Sequence, residues 1–363
     1  MLPVRPELAG LHPYGAPQLD VPVRLNTNEN PYPPPQAVVE EIAEAARAAA
    51  AGLNRYPDRD FAALRADLAG YLATESGVHL DPAGIWAANA SNEVMLHVLQ
   101  AFGGPGRTVL SFAPTYSMYP EYARDTFTTW VAGRRGEDFS VDPDHAAQLI
   151  DEVRPSVVLL ASPNNPTGTA LPLTTTRAVL DAAAQVPGGC VVVVDEAYAE
   201  FRRPGTPSAT ALLAGHRHLA VVRTMSKAFA LAGARVGYLA AAPELVDTLR
   251  LVRLPYHLSS VTQAVARAAL AHTAELMAQV GALRDERDRW VGALRARGLQ
   301  VPDSDANFVL VGVFDDAHMV WQGLLDRGVL VRDAGPAGWL RVSVGTAQEM
   351  AAFGAALDEV VEQ

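Results

Sequence analysis

Lysine is nearly absent from this chain: its 363 residues include 28 arginines and a single lysine, Lys227. The bias writes Arg wherever a surface cation is needed, and that makes the exception informative. Arg replaces Lys in most surface roles but cannot form an imine with an aldehyde at neutral pH. A lysine kept in such a chain is a candidate for covalent chemistry. Cysteine is equally scarce, and with Cys190 alone neither an intrachain disulfide nor a thiolate metal cluster can form. Cys190 precedes VVVV and reads as a core residue rather than a reactive thiol. A surplus of basic charge is missing too: 40 acidic residues leave a net charge of -11, which argues against nucleic acid or an anionic membrane surface as a partner. No apolar run reaches the length of a bilayer span, and MLPVRPELAGLHPYGAP has no basic stretch followed by an apolar one. The expectation is a soluble cytoplasmic protein. Also lacking are a G-x-G-x-x-G after a strand and phosphate-cradling glycines before Lys227, which excludes a dinucleotide fingerprint and a Walker A loop. His216 and His218 form an H-x-H pair with no acid or cysteine beside it, so a surface loop is expected there rather than a metal site.

What is present is ordinary globular composition, 49% hydrophobic and 19% charged, over a length that allows two domains sharing one buried core. Residues 35–51 read as a helix with prolines before it and Gly52 past its end. Apolar spacing predicts further helices over 59–74 and 92–102, the second opened by the cap cluster Ala90-Ser91-Asn92-Glu93. Short apolar runs then alternate with helical ones: TVLSF (108–112), SVVLLAS (156–162), CVVVVDEAY (190–198) and LAVVRTMS (219–226). Strands apolar on both faces and separated by helices predict an α/β fold with a mostly parallel sheet sandwiched by helices. Past Leu254 the pattern changes to a long helical stretch over 260–299, then NFVLVGV, a helix near 317–327, VLVRDAG and WLRVSVG. That predicts a large domain over 30–254 and a smaller α+β domain from 255–363 with the N-terminal arm, 1–29.

Ligands of parallel sheets gather outside the carboxyl ends of the strands. Three strand ends are polar: SPNNPTG (162–168), DEAY (195–198) and TMSK (224–227). Asp195 follows VVVV directly, and a carboxylate at the mouth of a buried strand needs a cationic partner. A pyridinium nitrogen is one such partner; a helix cap or a core ion pair is the alternative. SPNNPTG is turn chemistry, yet Asn165 carries a donor able to reach a phenolate oxygen, as does Tyr198. Such donors lower the pKa of a neighbouring imine by favouring the charged form. Around Lys227, the hydroxyls of Thr224 and Ser226 and the fork of Arg235 make a phosphate clamp, and the helix start at Ser91-Asn92 offers a second. A phosphate, a ring nitrogen, a ring oxygen and an aldehyde acceptor are together the four handles of pyridoxal phosphate.

With these residues in place the chain resembles the fold-type I pyridoxal-phosphate-dependent aminotransferases, and among them the histidinol-phosphate aminotransferase family. The likeness runs through VRPELAGLHPY, RLNTNENPYPPP, NRYPD, APTYSMY, SPNNPTG, VVVVDEAYAEF, RTMSKAFALAGARVGY and WLRVSVGT. It implies that Lys227 binds the cofactor covalently and then moves a proton between the substrate Cα and C4′. It implies that Asp195 pairs with the pyridine nitrogen and that Asn165 and Tyr198 pair with the ring oxygen. Ser91, Asn92, Thr224, Ser226 and Arg235 would hold the phosphate, Tyr116 would stack on the ring, and Tyr56 would reach the phosphate of a partner subunit in an obligatory homodimer. Arg341 would bind the substrate α-carboxylate, Arg332 a second anion, and Tyr14 and Asn28 would line the substrate side.

The chain departs from the family pattern at Asn92, where Asp is more usual. Asn caps a helix equally well, so the amide contacts to phosphate are expected to survive, while any role for a carboxylate there falls away. The reaction implied is amino transfer from histidinol phosphate to 2-oxoglutarate. Two alternatives keep the scaffold: an aromatic or broad-specificity amino-acid aminotransferase, and a threonine-phosphate decarboxylase. A non-catalytic alternative, the effector domain of a pyridoxal-phosphate-binding regulator, would place a DNA-binding helix-turn-helix before the enzyme-like pattern, which here starts within the first thirty residues.

Overall fold

The computed structural model describes residues 2–333 and 335–361. Its strands, in chain order, are β1 (Val23–Arg24), β2 (Ile85–Asn89), β3 (Thr108–Ala113), β4 (Thr129–Arg134), β5 (Val157–Ala161), β6 (Val191–Asp195), β7 (Leu219–Thr224), β8 (Val236–Ala241), β9 (Phe308–Val311), β10 (Val329–Leu330) and β11 (Leu340–Ser343). Seven of them form one sheet in the order β2-β8-β7-β6-β5-β3-β4. Strands β7, β6, β5, β3 and β4 run parallel, and β8 is antiparallel to both β7 and β2. The central strands are buried along their whole length and mostly apolar, as β-branched runs covered on both faces should be; β7 ends on the buried polar pair Arg223 and Thr224. Asp195 is the polar residue of β6, set at its carboxyl end opposite Ala161 of β5 and Val222 of β7.

Several local expectations change. Helix 59–74 becomes Ala62–Ser76, because Phe61 takes a left-handed φ of 42° while Asp58 accepts a hydrogen bond from the Ala62 amide at 2.8 Å. The stretch over 260–299 divides at His272 into Ser260–Ala271 and Thr273–Ala296. There the Thr273 hydroxyl donates to the Leu270 carbonyl at 2.7 Å, satisfying one end of the broken helix. Strands β1, β2, β4 and β8 do not follow from the sequence pattern above. Gly237 of β8 explains one of these close fits: a Cβ there would lie 2.1 Å from the Ser91 amide nitrogen, so only glycine lets the strand approach the start of helix Ala90–Phe102.

Beyond the large sheet, β9 and β11 pair antiparallel and β1 pairs parallel with β10. Their apolar faces form a second core with Trp290, Leu294, Phe353 and Leu357. Val23 and Leu25 belong to this second core, which ties the N-terminal segment to the C-terminal strands. Ala266, Ala269, Leu276, Val280 and Leu283 instead pack into the core of the large sheet. Among the described residues no helix is long and apolar enough to cross a membrane.

Candidate active site

The carboxyl ends of β5, β6 and β7 open into a cavity that the N-terminal segment and β11 close from the other side. Among the described residues its lining holds four cations, Lys227, Arg235, Arg332 and Arg341, against the single carboxylate of Asp195. Such a wall favours ligands that carry several negative charges. Ser91, Asn92, Tyr116, Asn165, Tyr198, Thr224, Ser226, Tyr14 and Asn28 line the same cavity.

Lys227 lies just past β7, where its Nζ donates to the Thr27 carbonyl at 2.9 Å. Burial, followed by the positive charge of Arg341, holds its ammonium down to about 8. Asp195 accepts from the Tyr119 hydroxyl at 3.0 Å and from the Ala197 amide at 3.2 Å. Burial pushes its carboxyl up to about 6, and none of the groups acting on it among the described residues is a cation. A buried carboxylate without a counter-cation, facing a cavity, is chemically suited to a protonated ring nitrogen.

Phosphate-type donors cluster a short distance away. Asn89 and Glu93 shape the start of helix Ala90–Phe102, where the Glu93 carboxylate accepts from the Asn89 amide at 2.6 Å and from its side chain at 2.8 Å. The Ser91 and Asn92 amides lie in the unbonded first turn, where the helix dipole favours an anion. Arg235 reaches towards Ser226 from a left-handed turn, with Nη1 3.5 Å from the serine Oγ. Thr224 directs its hydroxyl to the Val236 carbonyl at 3.3 Å and accepts from the Ser226 amide.

On the opposite wall, Arg341 is buried with its guanidinium 5.4 Å from the Phe308 ring centre. It donates to Asn165 Oδ1 and to the Asn26 carbonyl, each at 2.6 Å, while its Nε has no partner among the described residues. Because the Asn165 carbonyl oxygen is taken by Arg341, its amide NH2 is left to face a ligand. Arg332 and Arg341 form an antiparallel bridge with two backbone hydrogen bonds of 3.0 Å. Tyr198 accepts from Asn28 Nδ2 at 3.0 Å, and Tyr14 bonds Ser117 Oγ at 3.0 Å.

Over residues 21–357 the chain matches the family model described as aminotransferase class I and II. It is 60% identical over 360 residues to histidinol-phosphate aminotransferase 3 of Burkholderia lata, covering 99% of this chain and 96% of that relative. The histidinol-phosphate aminotransferase of Thermobifida fusca is also 60% identical, over 98% of this chain and 95% of its own. The chain belongs to the histidinol-phosphate aminotransferase family. It is a pyridoxal-phosphate-dependent aminotransferase, and the lysine, lone carboxylate and hydroxyl-rich clamp fit that cofactor. The fold agrees as well. A solved histidinol-phosphate aminotransferase from Sinorhizobium meliloti in complex with pyridoxal-5'-phosphate superposes with a TM-score of 0.87 at 24% identity, covering 100% of this chain and 98% of that one. A Thermus thermophilus aspartate aminotransferase variant superposes at 0.82 with 25% identity, over 100% and 99%.

One expected residue of this family member stands apart: Tyr56 is 80% exposed, outside the cavity, and stacks on Tyr256 with ring centres 4.4 Å apart. Residues not foreseen from the sequence include Tyr119, three places after Tyr116 in the same APTYSMY motif and bonded to Asp195, and Thr115 and Ser117, which line the cavity on either side of Tyr116. The contributions of Asn26 and Thr27 are backbone carbonyls, which leave no residue-type signal. Cys190 is buried, with its thiol pushed up to about 12 by burial. The His216 and His218 rings stand 6.0 Å apart, and among the described residues no group of metal-ligand side chains surrounds them.

Proposed function

We propose that the chain transfers the amino group of histidinol phosphate to 2-oxoglutarate, giving imidazole acetol phosphate and glutamate, in the cytoplasm and as a step of histidine biosynthesis. One observation carries the choice of substrate: beyond the groups that suit the cofactor, the cavity keeps a pair of arginines, Arg332 and Arg341, on paired backbone positions. Residues paired in this way present their side chains to one face. Two guanidinium forks accept a phosphate ester in one half of the cycle and a dicarboxylate in the other. The names of the 60% identical relatives support the same substrate.

In this reading Arg341 takes the α-carboxylate of glutamate and 2-oxoglutarate, Arg332 takes the second anionic group, and Tyr14 and Asn28 line the substrate side. Lys227 takes the substrate Cα proton and returns it at C4′, a role helped by an ammonium held near neutrality. Bound pyridoxal phosphate supplies the electron sink for the charge left at Cα. Asp195 keeps the ring nitrogen protonated, Asn165 and Tyr198 donate to the ring oxygen, and Tyr116 lies against the ring. Ser91, Asn92, Thr224, Ser226 and Arg235 hold the phosphate.

The active unit is a homodimer in which Tyr56 of one subunit reaches the phosphate site of the other. In support, Tyr56 projects to solvent beside Tyr256, and Leu53, Leu251 and Leu254, their neighbours in sequence, are exposed apolar side chains of the kind a partner covers. We place the division between large and small domains within helix Thr273–Ala296 rather than at 254, since Leu283 packs with the first core and Trp290 with the second.

The test is borohydride reduction of the yellow holoenzyme, which should bleach the visible band and leave cofactor mass on the Lys227 peptide. Glutamate formation is then compared for histidinol phosphate, phenylalanine and tyrosine. Turnover of the aromatic amino acids without turnover of histidinol phosphate overturns the substrate, and carbon dioxide release from threonine phosphate overturns the reaction type.

A further inference from the structure

We infer that Ser343 is a positioning residue that aims the hydroxyl proton of Tyr198 into the active-site cavity, acting through Asn28. The inference deepens the proposal that Tyr198 donates to the cofactor ring oxygen, and rests on it. Ser343, Asn28 and Tyr198 come from three separate parts of the chain, β11, the N-terminal segment and the loop after β6, and all three are buried.

The direction of each hydrogen bond follows from the one before it. The backbone amide of Asn28 can only donate, and it donates to Ser343 Oγ at 2.8 Å. The serine oxygen is therefore an acceptor on that side, and among the described residues the one acceptor within reach of its own proton is Asn28 Oδ1, at 2.8 Å. That contact fixes which end of the Asn28 amide is oxygen, a choice otherwise open by a half-turn. Nδ2 must then face Tyr198, whose hydroxyl oxygen accepts from it at 3.0 Å. An oxygen already accepting from Asn28 sends its proton elsewhere, and Tyr198 lines the cavity that holds Lys227 and Asp195.

Asn28 is held for this task. Its φ of 54° is left-handed, a conformation Asn tolerates better than most residues, and its carbonyl accepts from Asn307 Nδ2 at 2.9 Å. A phenol that accepts one hydrogen bond is a stronger donor of another, so the relay favours the anionic ring oxygen and lowers the pKa of the neighbouring link to Lys227. Without the serine hydroxyl the Asn28 amide is free to turn, and Tyr198 then donates to Asn28 Oδ1 and withdraws its proton from the cavity.

The experiment is a pH titration of the visible absorption band of the holoenzyme, for wild type, Ser343→Ala, Asn28→Asp, Tyr198→Phe and the double variant Ser343→Ala/Tyr198→Phe. Asn28→Asp keeps shape and backbone preference but offers only acceptors to Tyr198. Ser343→Ala and Asn28→Asp should each raise the midpoint by about one pH unit, and Tyr198→Phe by at least as much. With the tyrosine hydroxyl gone, adding Ser343→Ala should move the midpoint by less than about 0.3 of a unit. A full second shift in the double variant overturns the relay, because Ser343 would then act by another route. A shift with Tyr198→Phe but none with Ser343→Ala or Asn28→Asp overturns the relay alone. No shift with Tyr198→Phe overturns the placement of Tyr198 at the ring oxygen. Should Ser343→Ala fail to fold, as judged by its thermal transition, Asn28→Asp decides between these outcomes.

Discussion

Replacing Tyr119 by Phe removes one atom and tests how Asp195 is kept ionised. Tyr119 is fully buried, and its hydroxyl makes one hydrogen bond, 3.0 Å to Asp195 Oδ2. Tyr119 and the Ala197 amide oppose the burial that pushes this carboxyl up to about 6. A buried hydrogen bond to a charged acceptor is worth about 1.5–3 kcal/mol, or roughly one to two pKa units. In Tyr119→Phe the carboxyl of the apoprotein should therefore titrate near or above neutral pH. At pH 7 about half or more of it would enter the cofactor complex protonated, where a neutral acid no longer offsets a ring cation. The assay is the dissociation constant of pyridoxal phosphate for apoprotein, measured from pH 5.5 to 9. The acid limb of that profile should move up by about one to two pH units, with affinity at pH 7 falling about two- to tenfold. An unchanged acid limb, in a variant that melts like wild type, would refute the reasoning, since the hydroxyl would then contribute nothing to the charge of Asp195.

Three further outcomes are expected. Arg223, 1% exposed, meets Glu196 at 2.8 Å, Glu200 at 3.1 Å and Glu75 at 3.2 Å, so Arg223→Met strands buried carboxylates and should cost about 3–5 kcal/mol in urea unfolding; a loss below about 1 kcal/mol would mean the cluster is not coupled. Gly237→Ala forces the start of helix Ala90–Phe102 off β8, and should weaken cofactor binding by about tenfold or more, read by fluorescence titration; unchanged affinity would separate the Ser91-Asn92 turn from the phosphate site. Asp195 has a folded-state pKa raised to about 6 from an ordinary 3.8, so its contribution to apoprotein stability is fully present below about 3.8 and lost as pH rises through about 6. Asp195→Asn should remove about 2 kcal/mol of that decline between pH 4 and 7, and parallel profiles for the two proteins would contradict it.

The sequence alone singled out the candidate residues for the cofactor, because covalent chemistry restricts residue type. Lys227 is the one lysine able to form an imine, polar groups at strand ends are placed to reach a ligand beside the parallel sheet, and DEAY, SPNNPTG and TMSK stand where apolar runs end. The central strands were legible for the same reason: Val191 to Val194 are apolar on both faces and lie in the sheet interior. Less legible were β2, β4 and β8, whose pairing depends on distant partners, and the break at His272, where helical spacing continues but the backbone does not.

What tertiary structure alone decided is direction. Tyr119, Asn26 and Thr27 act through one hydroxyl and two backbone carbonyls whose aim is set by elements far away in the chain. Ser343 reaches Tyr198 only because Asn28 sits between them, 315 residues from the serine and 170 from the tyrosine. Residue chemistry restricts which groups can react, and it is legible one letter at a time. The orientation of a hydrogen bond depends on what both of its atoms already bind, and that information exists only once the chain has folded.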